Sequence, residues 1–192
     1  MVLGAVLLAG SGGLARMSTS ANAEPSLASS APTPVGDVQA QVVALLDATR
    51  TGAPAEEAWR RLGPGAVPVL SALVVDPSAP ASRRTIAVSS LALVDPSGGA
   101  ASIREVLEDA KAPAEVRASA AGALGRCLGR DAIPTLISRL PDPEFQVREA
   151  VAVALGRLGG QQARQALEDR LPVEERPLVR EALQRGLTLV EP

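Results

Sequence analysis

The residues best suited to chemistry in this chain are arginines that recur at one place in a repeated pattern. Successive copies carry them 33, 31 and 32 residues apart. A guanidinium presents several N–H donors in a planar fork, which suits the binding of carboxylates and phosphates. One arginine per repeat could therefore line a groove that holds an anion. The four residues are Arg84, Arg117, Arg148 and Arg180.

Other side chains that support catalysis or metal binding are scarce. The sequence has no His and one Cys, Cys127, which excludes imidazole–thiolate metal sites and His-activated nucleophiles. Adjacent acids on a helix point about 100° apart and do not converge, so we interpret them as solvated faces or helix-end charges. We predict that the chain is not an enzyme and uses no cofactor and no metal. The acid pairs are Glu56–Glu57, Glu108–Asp109, Glu168–Asp169 and Glu174–Glu175.

The elements that position the arginines are predicted to be amphipathic helices. Apolar residues follow each repeat arginine at offsets of 3, 7 and 10, which fall on one stripe of an α-helix. Cys127 occupies the third of these columns, otherwise filled by Val and Leu, and we interpret it as a core residue. A second helix precedes each Arg-bearing helix, and one less regular pair lies upstream. The sequence thus predicts an all-α fold of five helix pairs.

The segment Asp142–Gly159 (DPEFQVREAVAVALGRLG), together with DAIPTL at Asp131–Leu136, carries a recognisable pattern. It resembles the short HEAT-like repeats of the phycobilisome-lyase type, with consensus D-P-x-x-x-V-R-x-A-A-x-x-A-L-G-x-L-G. The resemblance implies an α-solenoid of about five HEAT-like helical hairpins over residues 37–192. It also implies that the repeated Arg is structural and bridges to an Asp or to backbone carbonyls of a neighbouring repeat. The spacing alone does not separate this role from an anion groove.

Solenoids act by presenting an extended concave surface built from one helix of each pair. We therefore predict a protein–protein interaction scaffold whose partner is another protein, with the Arg-bearing helices lining that surface. Small residues there permit close approach, and the polar C-terminal end would supply specificity. The candidate partner-binding residues are Ala121, Glu149, Ala152, Glu181, Gln184 and Arg185.

Alternatives stay open at this point. A chromophore-lyase-like enzyme is implied by the resemblance alone, and a purely structural envelope component is also compatible with the repeats. Trp59 and Phe145, the two aromatic residues, are either packing residues or exposed contacts.

Charge and the N-terminal segment bear on partners and location. Nineteen basic residues nearly balance 21 acidic ones, so no basic face for nucleic acid is predicted. Residues 1–23 are predicted to be a signal peptide, because the apolar run is too short for a bilayer and ends before an A-x-A site at Ala21–Ala23. Residues 24–36, rich in Ser, Ala and Pro, are predicted to form a flexible linker. We expect an exported protein, periplasmic or secreted, with no membrane span in the mature chain.

Signal-peptide cleavage after Ala23 predicts Glu24 as the N-terminus of the mature protein. Mass spectrometry of the protein purified from its native host measures this directly. A cytosolic form that retains Met1 would contradict the prediction of export.

Overall fold

The computed structural model describes residues 35–52 and 56–190. The predicted signal peptide, residues 1–23, and the predicted linker up to residue 34 lie outside the described residues. The first helix begins at Val35, two residues before the predicted start of the repeat domain. The apolar positions of that helix begin within a turn of its start, at Val38 and Val42, which are both buried.

The described residues form ten α-helices, joined in places by short 3-10 turns, and contain no strand. The prediction of an all-α fold with five helix pairs is confirmed. The helices are α1 Val35–Arg50, α2 Glu56–Leu62, α3 Val67–Val75, α4 Ala81–Val94, α5 Pro96–Glu108, α6 Ala114–Leu128, α7 Ile133–Arg139, α8 Phe145–Leu158, α9 Gln161–Arg170 and α10 Pro177–Leu189.

Proline and glycine set several helix boundaries. Pro68 and Pro134 lie in the first turns of α3 and α7, where a backbone N–H would have no partner within the helix. Gly159 follows α8 with a φ of 67°, a conformation that side chains with a Cβ disfavour. Because proline and glycine recur at corresponding helix starts and ends, the helical hairpins have similar lengths.

The Arg-bearing helices α4, α6, α8 and α10 pack side by side, and each also packs against the partner helix that precedes it in sequence. The sequence predicted three buried columns, at positions 3, 7 and 10 after each repeat arginine, and the first two of these lie in the core. The residues three and seven positions after each repeat arginine are buried, except for the half-buried Leu187. The column ten positions after it, which includes Cys127, is half-buried and packs against the core.

Trp59 closes the core near the first pair. Its side chain is buried, and its Nε1 donates a hydrogen bond to Thr49 Oγ1 at 3.3 Å. The packing interpretation of Trp59 therefore holds, and the alternative of an exposed binding anchor does not.

Two Arg-bearing helices, α8 and α10, approach each other closely at a pair of glycines. A Cβ built on Gly156 would lie 2.4 Å from the Cα of Gly186. Only glycine permits this backbone contact, because neither helix can move away without disturbing its own buried stripe. Gly125, one repeat earlier, is less crowded: its added Cβ would meet Leu158 Cδ1 at 3.7 Å.

These two glycines provide a matched test of the packing. Gly156→Ala should destabilise the fold by about 1–3 kcal/mol, as overpacking of a filled core does. Gly125→Ala should be neutral or stabilising by up to about 1 kcal/mol, because Ala favours helix over Gly and meets an ordinary contact there. Urea denaturation of both variants checks the difference, and equal effects would show that α8 and α10 do not cross as closely as described.

Candidate functional site

An acidic residue stands in the turn before each of the four Arg-bearing helices. In every copy its carboxylate accepts a hydrogen bond from the backbone N–H two residues later, at 2.8–3.1 Å. Such side-chain-to-backbone bonds fix the turn that leads into the next helix. The acceptor residues are Asp76, Asp109, Asp142 and Glu174, and the donors are Ser78, Lys111, Glu144 and Arg176.

Arg117 connects its own helix pair to the turn of the next pair. Its Nε donates to the carbonyl oxygen of Ala112 at 3.1 Å, and its Nη1 donates to Asp142 Oδ2. Both side chains are buried. Because a buried charge is tolerated when it is paired and hydrogen-bonded, the arginine and the acid each depend on the other.

Arg148 repeats this connection one pair further on, with more bonds. Its Nε and Nη2 donate to the two carboxylate oxygens of Glu174 at 2.8 and 2.9 Å. Its Nη1 donates to the carbonyl oxygens of Asp142 and Pro143 at 2.8 and 3.0 Å. Arg170 adds a second guanidinium to Glu174, with Nη2 at 2.8 Å from Oε2. A bidentate arginine–carboxylate pair of this kind is stronger than one with a single hydrogen bond.

The electrostatics of Glu174 follow from these contacts. The hydrogen bonds from Arg148, which outweigh the opposing effect of burial, lower the pKa of Glu174 from 4.5 to about 2. The same bonds raise the pKa of Arg148. Glu174 is therefore ionised at any pH near neutrality, as a fixed anion between two arginines.

The first and last arginines of the series have backbone partners. Arg84 is buried and its Nε donates to the carbonyl oxygen of Val74 at 2.9 Å. Arg180 is exposed, and its Nη1 donates to the carbonyl oxygens of Leu171 and Glu174 at 3.1 and 3.0 Å. All four arginines thus bind groups of the protein itself, and the buried Arg84 and Arg117 cannot reach a ligand in solvent. The geometry supports a structural role over the anion groove. Arg117 and Arg148 join neighbouring helix pairs, and we refer to these contacts as the ladder. Arg84 and Arg180 bond within their own pairs.

Sequence reasoning missed the role of Glu174. We interpreted the pair Glu174–Glu175 as solvated or helix-end charge, whereas Glu174 is buried and forms a central contact of the ladder. A signal was available: Glu174 precedes Arg180 by six residues, as Asp142 precedes Arg148.

Two candidate partner-binding residues prove to be buried. Ala121 and Ala152 have no exposed surface, so the prediction that they contact a partner is wrong. Both lie four residues after a repeat arginine, on the side of the helix that faces the next Arg-bearing helix: the backbone oxygen of Ala152 would be 3.1 Å from a Cβ on Gly186. Helices α6 and α8 each contact two other Arg-bearing helices as well as their own partner helix. More of the surface of each helix is therefore buried than the single apolar stripe predicted from the sequence.

The remaining candidates are accessible to different degrees. Glu149 is half-buried, whereas Glu181, Gln184 and Arg185 are exposed. Gln184 occupies in α10 the column that Ala152 occupies in α8, and Thr188 likewise corresponds to the buried Gly156. The last described pair is therefore polar at columns where the inner pairs are closely packed.

The surface that the Arg-bearing helices do leave open consists of positions 1, 5 and 9 after each repeat arginine; we refer to it as the open face. These positions lie on one side of an α-helix, opposite the buried stripe. Their residues are partly or fully exposed and differ from copy to copy: Thr85, Ser89 and Leu93 on α4, Ala118, Gly122 and Arg126 on α6, Glu149, Val153 and Arg157 on α8, and Glu181, Arg185 and Leu189 on α10.

Phe145 and Cys127 have local roles. The Phe145 ring is half-buried and packs against the core, with the guanidinium carbon of Arg176 5.5 Å from its centroid. Such a cation–π contact joins the start of α8 to the start of α10. Burial raises the pKa of the Cys127 thiol, which keeps it protonated and a poor nucleophile.

Within the described residues, no group of three or more His, Cys, Asp or Glu side chains is arranged to hold a metal ion. None of the described helices has the length and apolar character needed to cross a membrane.

Comparisons with known proteins agree with this architecture. The family profile for HEAT repeats matches residues 100–188. This segment of the chain therefore has the sequence pattern of HEAT repeats, as the resemblance predicted. A chain in the structure of the complex of CpcE and CpcF of phycocyanin lyase from Nostoc sp. PCC7120 superposes with a TM-score of 0.64 and 23% identity, over 80% of this chain and 99% of that one. At this identity the likeness establishes the fold. No curated protein matches the sequence.

The ladder predicts a specific sensitivity to acid. Since the pKa of Glu174 is lowered in the folded state, its contribution is complete above about pH 4.5 and is lost as the pH falls toward 2. That contribution should be on the order of 3 kcal/mol. Glu174→Gln should lower stability at pH 7 and flatten its decline between pH 4.5 and 2. Urea denaturation across this pH range measures both, with Glu175→Gln, an exposed neighbour, as the control. An unchanged pH profile in Glu174→Gln would contradict the assigned network.

Proposed function

We propose that this helical repeat protein is a non-enzymatic scaffold that binds another protein through the open face of its Arg-bearing helices. One observation carries the proposal: the charged groups that recur in every copy are bonded to the protein itself, while the open face changes from copy to copy. A surface that varies on a regular frame is suited to recognise one partner rather than to support one reaction.

The composition of the open face indicates where specificity would come from. Toward α4 it offers hydroxyls and aliphatic side chains, and toward α10 it carries the charged residues Glu181 and Arg185. Complementary charges determine orientation and association rate more than total affinity. The partner is therefore expected to contact several pairs and to be oriented by the charged end.

Export belongs to the same proposal. The features that support it are the apolar N-terminal run and the A-x-A site, which would place the scaffold and its partner in the periplasm or outside the cell. No nucleic-acid partner is proposed, because the chain has a net charge of −2.

A lyase-like function is the second candidate, and the fold likeness to a chain of the phycocyanin lyase complex is its support. Fold alone is a weak basis for function. Incubation of the protein with phycocyanin apoprotein and its chromophore separates the candidates: covalent attachment would favour the lyase, and its absence together with partner capture would favour the scaffold.

Site-specific photo-crosslinking tests which surface binds. A photoreactive amino acid at Ser119, on the accessible side of α6 beside the open face, should crosslink to a discrete protein in envelope extract. The same residue at Arg104, exposed on the partner helix α5, should give no such product. Crosslinking from position 104 alone would place the binding surface on the opposite layer and contradict the proposal.

Charge reversal tests whether Glu181 and Arg185 orient the partner. Glu181→Arg combined with Arg185→Glu should weaken partner capture while it leaves stability within about 0.5 kcal/mol, the usual range for surface changes. Arg104→Glu is the control for a charge change elsewhere. Equal losses in both variants would show that the effect is not specific to the open face.

A further inference from the structure

A small pocket lies on the open face between α6 and α8. Its volume is about 110 Å³, and its walls are apolar because the helices meet there through small side chains. Gly122 and Gly125 contribute no side chain, which leaves the space that Ala150, Val153 and Leu158 surround. Two arginines, Arg126 and Arg157, border the same pocket.

These two arginines differ from those of the ladder. Arg126 and Arg157 are exposed. Within residues 35–52 and 56–190, neither has a carboxylate within 4.0 Å or a hydrogen-bond acceptor in contact. Both stand nine residues after a repeat arginine, so adjacent parallel helices present them side by side. Two guanidinium groups with unused donors thus flank one apolar cavity.

The acids of the same face are set apart from this pair. Glu149 and Glu181 stand one residue after their repeat arginines, so eight residues separate them from the column of Arg157. Eight residues of α-helix span about 12 Å, which exceeds the Debye length at physiological ionic strength. The acidic residues of the open face therefore do not pair with Arg126 or Arg157 at the pocket.

We propose that this pocket binds an acidic segment of a partner polypeptide, with one small aliphatic side chain in the cavity and flanking carboxylates on Arg126 and Arg157. This inference rests on the proposed scaffold function and specifies the chemistry of its partner. Guanidinium groups bind carboxylates through paired N–H donors, and the apolar walls exclude a charged group from the cavity itself. A nucleic acid fits less well, because the rest of the chain is acidic.

The position of the arginines near the C-terminal ends of their helices also stabilises the helix dipole. That role requires neither a cavity between the two side chains nor binding of a ligand. A test must therefore measure affinity and stability separately.

Fluorescence anisotropy with a defined probe provides that test. The probe is a fluorescein-labelled nonapeptide with one central Val and Asp or Glu at the flanking positions, titrated with the full chain. A peptide with Lys in place of the acids, and a single-stranded DNA oligonucleotide of similar charge, are the comparison probes. The acidic peptide should bind more tightly than both, and its affinity should fall as salt is raised.

Variants assign the binding to the pocket. Arg126→Gln combined with Arg157→Gln should weaken peptide binding at least tenfold, and Gly122→Leu should weaken it by filling the cavity while it preserves the melting temperature. Arg104→Gln combined with Arg139→Gln removes two charges from the partner helices α5 and α7 and should leave affinity unchanged.

Several results would overturn the inference: equal binding of acidic and Lys peptides, tighter binding of the oligonucleotide, or wild-type affinity in the Arg126/Arg157 variant. If such a result were accompanied by crosslinking from Ser119, the scaffold proposal would stand and only this site would be rejected. Loss of melting temperature without loss of affinity would assign the two arginines to helix stabilisation alone.

Discussion

The buried contacts between an arginine of one helix pair and the acid in the turn of the next are the constraint on which the rest of this structure depends. Arg117 with Asp142, and Arg148 with Glu174, each join residues 25 or 26 positions apart. The same carboxylates also accept the backbone N–H groups that fix the turns. One acid therefore sets the start of its own helix and the position of that helix against its predecessor.

Such contacts specify arrangement more than they add net stability. An apolar replacement of a buried ion pair is often as stable as the pair, whereas removal of one partner leaves an unpaired charge and is strongly destabilising. In a repeat array, where each unit contacts only its neighbours, an interaction that fixes the register between neighbours is valuable. Aliphatic side chains alone would permit one helix to slide along the next. The close approach of Gly156 to Gly186 requires that register.

The periodic part of the fold was predictable from the sequence because it depends on patterns local to one helix. Leu91, Leu124 and Leu155 recur at one offset and are all fully buried, and the four repeat arginines were identified by spacing. The periodicity did not indicate which side of each Arg-bearing helix contacts the next Arg-bearing helix. Ala121 and Ala152 suit an exposed smooth surface and a tight helix crossing equally well, since Ala is compatible with both environments. Only the placement of the neighbouring helix decides between them.

Long-range pairing was the second gap. Glu174 stands beside Glu175 and resembles ordinary surface charge, yet Arg148, 26 residues away, holds it buried. Arg126 and Arg157 were missed for the opposite reason: their significance lies in the pocket they share, which exists only once two helices are packed. Interactions within a repeat follow from the sequence, whereas interactions between repeats require the structure.

A double-mutant cycle on Arg117 and Asp142 tests the central claim most directly. The free energy of unfolding would be measured for the wild type, for Arg117→Ala, for Asp142→Ala and for the double variant. If the ladder joins the repeats, the two single changes should be strongly non-additive, with a coupling energy of about 1–3 kcal/mol, as for residues in one ion-pair network. Additive effects, with a coupling energy near zero, would show that the two residues act independently and would contradict the account.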